Sequence, residues 1–275
     1  MSRTQEEAQF GASSLHRSQA AAIAAVRKEI SVLSSTVTQS SVLDTAGVHL
    51  PNITVNDIVA ARLPIPNIEE AAPLPLWYRA LEKLVAVVAL LVFALPMAVI
   101  ALIVRLGTPG PALFVQRRLG LGARQFKFTK FRTMFADARE RFPELYKYQY
   151  TDEEVQAHFF KVNDDPRLTP QGVWLRKSTL DEIPNFLAVL TGEMSLVGPR
   201  PEIPEMLPYY KGKMLRKYSV RPGITGLAQT CGRGNLNFHD TVEYDLEYVE
   251  KRSVWLNIKI LFKTVKIVLN SHGAF

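Results

Sequence analysis

Cysteine is almost absent from this chain. Cys231 is the single one in 275 residues, which excludes an intramolecular disulfide and leaves no thiol cluster for a metal. It reads as a small, partly buried side chain. A secretory signal is not expected either, because residues 1–11 are polar and acidic where a signal needs an apolar core. Acidic excess is also lacking: 33 Lys and Arg stand against 26 Asp and Glu, for a net charge of +7 and a pI near 9.5. That balance suits anionic partners, whether nucleic acid, nucleotide or an acidic membrane surface. A length of 275 residues accommodates one good-sized domain or two small ones.

Charge itself disappears over one stretch. Residues 84–106 read LVAVVALLVFALPMAVIALIVRL, with none before Arg105. About twenty apolar residues suffice to span a bilayer core. Pro96 falls mid-run, removes the bond to the Val92 carbonyl and forces a kink. Arg79 and Lys83 precede the run, and Arg105, Arg117, Arg118 and Arg124 follow it. Cations on both flanks favour two cytoplasmic ends, hence a kinked hairpin that enters and returns, over a clean crossing. A second membrane signal covers residues 253–270. Lys259, Lys263 and Lys266 share one helical face, while Trp255, Ile258, Leu261, Phe262, Val265 and Leu269 fill much of the rest. The pattern describes an interfacial helix lying in the headgroup plane; a core helix with a solvated lysine face is the alternative.

Elsewhere the chain divides readily. Residues 13–35 show apolar recurrence at helical spacing, and the stretch to residue 75 has the Ser, Thr and Pro content of a linker. Residues 107–121 are turn-rich around a short strand at 113–115. Residues 125–134 set Phe126, Phe128 and Phe131 against Lys127, Lys130 and Arg132, the alternation of a half-buried strand with bases on one side. Those bases read equally as a solvated edge or as phosphate contacts. Residues 136–160 predict a surface helical excursion interrupted at Pro143, with His158 exposed or packed. Asp164-Asp165-Pro166-Arg167 fits either a metal-binding acid pair or an Asp-capped turn.

Residues 161–204 hold the densest chemistry. Asp181-Glu182 lies between Arg176-Lys177 and the rigid turn Gly198-Pro199-Arg200-Pro201. Carboxylates enclosed by cations suit reaction at phosphorus, where an acid attacks or holds a divalent cation and the bases take up phosphate charge. Thr179 followed by Glu182 predicts a capping box, and Pro184 fits a first helical turn, which would put both acids at a helix N-terminus. The bland alternative makes Glu182 an ordinary cap and Asp181 a solvated first-turn acid. Two prolines around Arg200 fix its backbone, so it would lose less entropy on binding an anion. The glycines of residues 219–234, flanked by Arg221 and Arg233, allow backbone approach to a ligand or simply form turns.

These runs resemble the bacterial sugar transferase family, the monotopic phosphoglycosyl transferases. The matching motifs are Lys130-Phe131-Arg132-Thr133-Met134, Asp165-Pro166-Arg167-Leu168-Thr169, Leu175-Arg176-Lys177-Ser178, Leu180-Asp181-Glu182-Ile183-Pro184, residues 194–201, residues 221–229 and residues 255–265. They keep the family's order and spacing over roughly residues 77–270. Departures fall at Leu95, where the family often has serine, at Asn185 and Ala188, and at Asn257, where it commonly has aspartate.

The resemblance implies an α+β fold: a small, mixed, largely helical catalytic domain with a Pro-broken re-entrant membrane helix and interfacial amphipathic helices. Residues 1–76 would be an N-terminal extension, 77–106 the hairpin, and 107–275 the cytosol-facing transferase domain. The implied reaction moves a sugar-1-phosphate from a UDP-sugar to polyprenyl phosphate at the cytoplasmic face of the bacterial inner membrane. Asp181 would be the nucleophile, and Glu182 would bind Mg²⁺ or assist deprotonation of the acceptor, the metal role being favoured. Lys130, Arg132, Arg176, Arg200, Pro201, Arg221 and Arg233 would line the substrate site. Expected partners are the two substrates and the bilayer, not nucleic acid; a homo-oligomer is left open. A membrane-anchored nucleotide-sugar hydrolase and a non-catalytic scaffold are the competing readings.

Overall fold

The apolar run folds as two helices, α1 (Leu76–Val92) and α2 (Ala94–Gly107). The break falls at Phe93 (φ −90°, ψ 3°), and the two axes bend by 58°. Pro96 has no N–H for the Val92 carbonyl, so the chain steps just before it. The neighbouring bonds survive: Phe93 N–H to Ala89 O at 2.9 Å and Met97 N–H to Phe93 O at 2.8 Å. No single helix among the described residues is long and apolar enough to cross a membrane, whereas this bent pair reaches that length and hydropathy together. Leu84, Val88, Leu91, Leu95, Leu102 and Leu106 are exposed along both arms, an apolar belt of the kind that marks a contact surface.

This computed structural model describes residues 67–159, 164–232 and 235–269. The helix expected over residues 13–35, most of the linker and Arg233 lie outside the described residues. Those described belong to a unit covering residues 65–275. It mixes helices with two small sheets, an α+β architecture.

An antiparallel ribbon follows α2. Strand β1 (Leu113–Leu119) pairs with β2 (Gln125–Phe131) in the register Leu113↔Phe131 to Leu119↔Gln125. Period two corrects one expectation here. Lys130 shares the face of Phe126 and Phe128, not that of Lys127, so the bases do not collect on one side. Phe131, on the opposite face, packs with Ile100 and Val104 of α2 and with Leu175.

The region predicted as a helical excursion is a series of short pieces: α3 (Ala138–Arg141), a 3₁₀ turn opened by Pro143, and α4 (Asp152–Ala157). His158 is half-buried, its ring 4.5 Å from that of Tyr150. Then come α5 (Pro170–Ser178), α6 (Phe186–Thr191), β3 (Ser195–Val197), β4 (Gly223–Thr225), α7 (Leu227–Gly232), α8 (Phe238–Lys251) and α9 (Val254–Leu269). β3 and β4 pair in parallel. A Cβ on Gly223 would stand 2.0 Å from the Gly198 nitrogen, so these glycines serve backbone-to-backbone approach between the two loops. Cys231 is exposed rather than partly buried.

Polar side chains fasten the first helix of the bent pair to this body. Glu82 of α1 accepts from the Ser195 hydroxyl and, at 3.0 Å, from the Leu196 N–H. Asn257 of α9 is fully buried; its amide donates to Tyr78 at 3.0 Å and accepts from Tyr248 at 2.9 Å. An amide can do both, which an ionised aspartate cannot. The inner face of α9 carries Asn257 and Ile260, while Trp255, Phe262, Val265 and Leu269 face outward, and Lys259 lies over the Trp255 ring at 5.6 Å.

Arg132 fastens the second helix. Its guanidinium donates to the carbonyls of Pro111 (2.6 Å), Pro109 (2.9 Å), Thr108 (2.8 Å) and Val104 (3.3 Å). The Val104 carbonyl belongs to the last turn of α2, which has no partner within the helix. Replacing Arg132 by Met should therefore destabilise the fold by about 3 kcal/mol or more, since buried carbonyls are left unpaired. The melting temperature of the detergent-solubilised protein checks this, and it should fall further for Arg132→Met than for Lys127→Met on the exposed face of the same strand.

Candidate active site

The acid pair does not begin an α-helix. Thr179 ends α5 in the left-handed conformation (φ 58°, ψ 11°), and its hydroxyl donates to the Ser178 carbonyl at 2.7 Å. It makes no capping box with Glu182. Leu180–Asn185 then forms a 3₁₀ helix that contains Pro184. Consecutive side chains on such a helix diverge by about 120°, so Asp181 and Glu182 enter different surroundings. Asn185, at its end, is buried and accepts from the Thr129 N–H at 3.0 Å, which docks the turn onto β2.

Asp181 is 5% exposed. Burial, followed by the neighbouring Glu182 charge, pushes its pKa up to about 6 against the opposing pull of Lys130, Arg176 and Arg200. Glu182 goes the other way. Burial acts to raise it, but the charge and hydrogen bond of Arg200 prevail and its pKa is lowered; Arg200 Nη2 donates to Glu182 Oε1 at 2.7 Å. Lys130 is depressed to about 8 by burial and by the Arg176 charge. Proton affinities are thus pushed apart within one pair, the arrangement that separates roles among catalytic acids.

The cations have their own supports. Asp165 takes Arg167 in a two-pronged ion pair, both bonds 2.8 Å, and stands 3.9 Å from Arg176 Nη1. Arg176 Nε also donates to Thr133 at 3.2 Å. Asp165 and Arg167 therefore hold Arg176 from behind. Arg118, read from sequence only as a membrane flank, faces the same cluster. Its Nη1 donates to the Pro201 carbonyl at 3.1 Å, its guanidinium covers Phe128 at 5.4 Å, and its Nε is buried without a partner. Glu182 and Glu202 are among the charges acting on it. The signal that marks Arg118 is register: it pairs with Phe126 across the ribbon, which puts it on the face that carries Lys130.

The predicted substrate residues thus separate. Lys130, Arg176, Arg200 and the Pro201 carbonyl gather around Asp181 and Glu182. Arg132 is tied to the α2 end. Arg221 donates to the Gly192 carbonyl at 2.7 Å and lines another cavity, beside Arg79 and Glu82. For Mg²⁺, no group of three or more His, Cys, Asp or Glu side chains converges among the described residues. This cation is ordinarily held by one or two carboxylates together with substrate phosphates. The second oxygen of Glu182, the one not bonded to Arg200, fits that mode as a protein ligand.

A family profile described as bacterial sugar transferase matches residues 75–271. The chain belongs to this family. Galactosyl transferase CpsE of Streptococcus agalactiae is 42% identical over 166 residues, 60% of this chain and 36% of CpsE. Exopolysaccharide production protein ExoY of Rhizobium meliloti is 36% identical over 197 residues, 72% of this chain and 87% of ExoY. Undecaprenyl-phosphate galactose phosphotransferase of Salmonella typhimurium is 38% identical over 166 residues, 60% of this chain and 35% of that protein. The chain therefore spans about a third of the length of CpsE and of the Salmonella protein, and nearly all of ExoY.

The raised pKa of Asp181 has a consequence for stability. Its folded-state value lies above the unfolded one, so the ionised side chain costs stability above about pH 6, and the cost vanishes below about pH 4. Asp181→Asn should stabilise the fold at neutral pH by about 2 kcal/mol. Paired melting curves of the solubilised variant and wild type check this; the gain should shrink as pH falls through 6 toward 4.

Proposed function

We propose that the chain is a membrane-bound phosphoglycosyl transferase that moves a sugar-1-phosphate from a UDP-sugar to polyprenyl phosphate. The observation that carries this is the buried Asp181 carboxylate, set beside an Arg200-paired Glu182 and among Lys130, Arg176 and Arg200. Such a carboxylate has lost hydration and faces cations that attract the phosphates of a donor. Names of relatives support the same chemistry: one is an undecaprenyl-phosphate glucose phosphotransferase and another a UDP-galactose-lipid carrier transferase.

The reaction runs in two displacements. An Asp181 oxygen attacks the β-phosphorus, the bond from that phosphorus to the bridging oxygen breaks, and UMP leaves with the electron pair. An oxygen of the polyprenyl phosphate then attacks the same phosphorus, and the Asp181 carboxylate is released as the diphosphate-linked lipid forms. At neutral pH Asp181 is mostly ionised, as a nucleophile requires. Arg176 and Arg200 take up charge on the phosphate oxygens, and Lys130 adds a point charge between them. Mg²⁺, held by Glu182 and the donor, would supply further neutralisation of the diphosphate.

Membrane placement follows from the acceptor. Its phosphate stays at headgroup height while its tail stays in lipid, since extraction costs about 0.8 kcal/mol per CH₂. The bent α1–α2 pair entering from the cytoplasmic face of the inner membrane and the outward apolar residues of α9 would hold Asp181 at that level.

Incubation of the purified protein with UDP-sugar alone tests the reading. A sugar-phosphate adduct should appear by mass spectrometry on the Asp181 peptide, with about one UMP released per protein. Asp181→Asn should give neither. Sustained UMP release without acceptor would instead favour the hydrolase reading.

A further inference from the structure

A second cavity of about 360 Å³ opens at the foot of α1, lined in part by residues 70–74. Three arginines reach it: Arg79, Arg221 and Arg252. Two glutamates lie there as well, Glu82 and Glu70, and both are engaged elsewhere. Glu82 accepts from Ser195 and Leu196, and burial raises its pKa. Glu70 stands 3.6 Å from Arg124. The arginine side chains hydrogen-bond only to carbonyls. Arg221 donates to Gly192 and Arg252 to Ala72, while the Arg79 side chain has no hydrogen-bond or ion-pair partner among the described residues. Burial, then the Arg79 charge, lower the pKa of Arg221 against the opposing pull of Glu82 and Glu70, the mark of cations crowded together.

The position of the cavity suggests the anion. Leu76 and Trp77, exposed next to Arg79, open the helix that begins the membrane pair. Trp and Arg at such a boundary sit at headgroup level. Guanidinium groups match phosphate through paired donors. We propose that this cavity is a second anion site, separate from the Asp181 cluster, in which Arg79, Arg221 and Arg252 bind the phosphate of an anionic phospholipid. The site does not depend on the aspartyl chemistry. Its occupation would anchor the entry of α1 at a fixed depth.

Native mass spectrometry of the full-length protein in neutral detergent tests this, using phosphatidylglycerol, phosphatidylcholine and inorganic phosphate as probes. One phosphatidylglycerol should be retained in preference to phosphatidylcholine. Arg79→Gln should weaken retention by about tenfold, Arg79→Lys should restore most of it, and the charge-matched control Lys213→Gln should leave it unchanged. Binding of inorganic phosphate that is lost in Arg79→Gln, without lipid retention, would keep the phosphate site but overturn the lipid as its source. Equal retention of phosphatidylcholine, equal weakening by Lys213→Gln, or no Arg79-dependent binding of any probe would overturn the proposal.

Discussion

The ion pair between Arg200 and Glu182 divides the labour of the acid pair. Without it, two adjacent buried carboxylates would share one depressed tendency to ionise. With Arg200 bonded to Glu182 at 2.7 Å, Glu182 holds its charge and Asp181 keeps the higher pKa, near 6. Arg200 in turn depends on its turn. Pro201 gives its carbonyl to Arg118, and the Glu202 carbonyl accepts from the Leu119 N–H at 2.8 Å. Behind them Lys217 is buried, 3.0 Å from Asp245 and 3.7 Å from Glu202. Removing one member of such a buried group leaves an uncompensated charge, so α8 and the 3₁₀ helix Gly212–Ser219 hold the segment that presents Arg200.

The run Lys130-Phe131-Arg132 links this site to the bent α1–α2 pair. Alternation sends Lys130 toward Asp181 and Phe131 toward Ile100 and Val104 of α2, and Arg132 binds the carbonyls where α2 ends. Three consecutive side chains thus connect the Asp181 cluster with the bent α1–α2 pair. On the other side, Glu82 and Asn257 tie α1 to β3, α8 and α9. Neither helix can shift far without disturbing a buried polar bond.

Much of this was legible from sequence where periodicity or a single residue dictates geometry. Pro96 foretold the bend, the alternating phenylalanines foretold β2, and Pro143 foretold the interruption. Four features were not. Thr179 looked like a cap, as threonine often is, but it ends α5 in the left-handed region, which β-branched residues seldom adopt, so packing overrode the local preference. The side of the strand on which Lys130 lies depends on counting by twos from Phe126; reading the bases as one group missed it. Arg132 and Arg221 are arginines among family motifs, and composition does not distinguish a guanidinium that binds carbonyls from one that meets a ligand. Arg118 was hidden for a related reason, since its role depends on its cross-strand partner Phe126 in a ribbon whose register was not yet known.

The central claim is that a buried carboxylate with an elevated pKa performs the first displacement. The pH dependence of kcat/KM for the UDP-sugar reports ionisations of the free enzyme and tests the claim most directly. The account predicts a rise with pH whose midpoint lies near 6, the value that burial gives Asp181. A profile flat from pH 5 to 7, or a midpoint at the 3.8 of an ordinary aspartate, would contradict it.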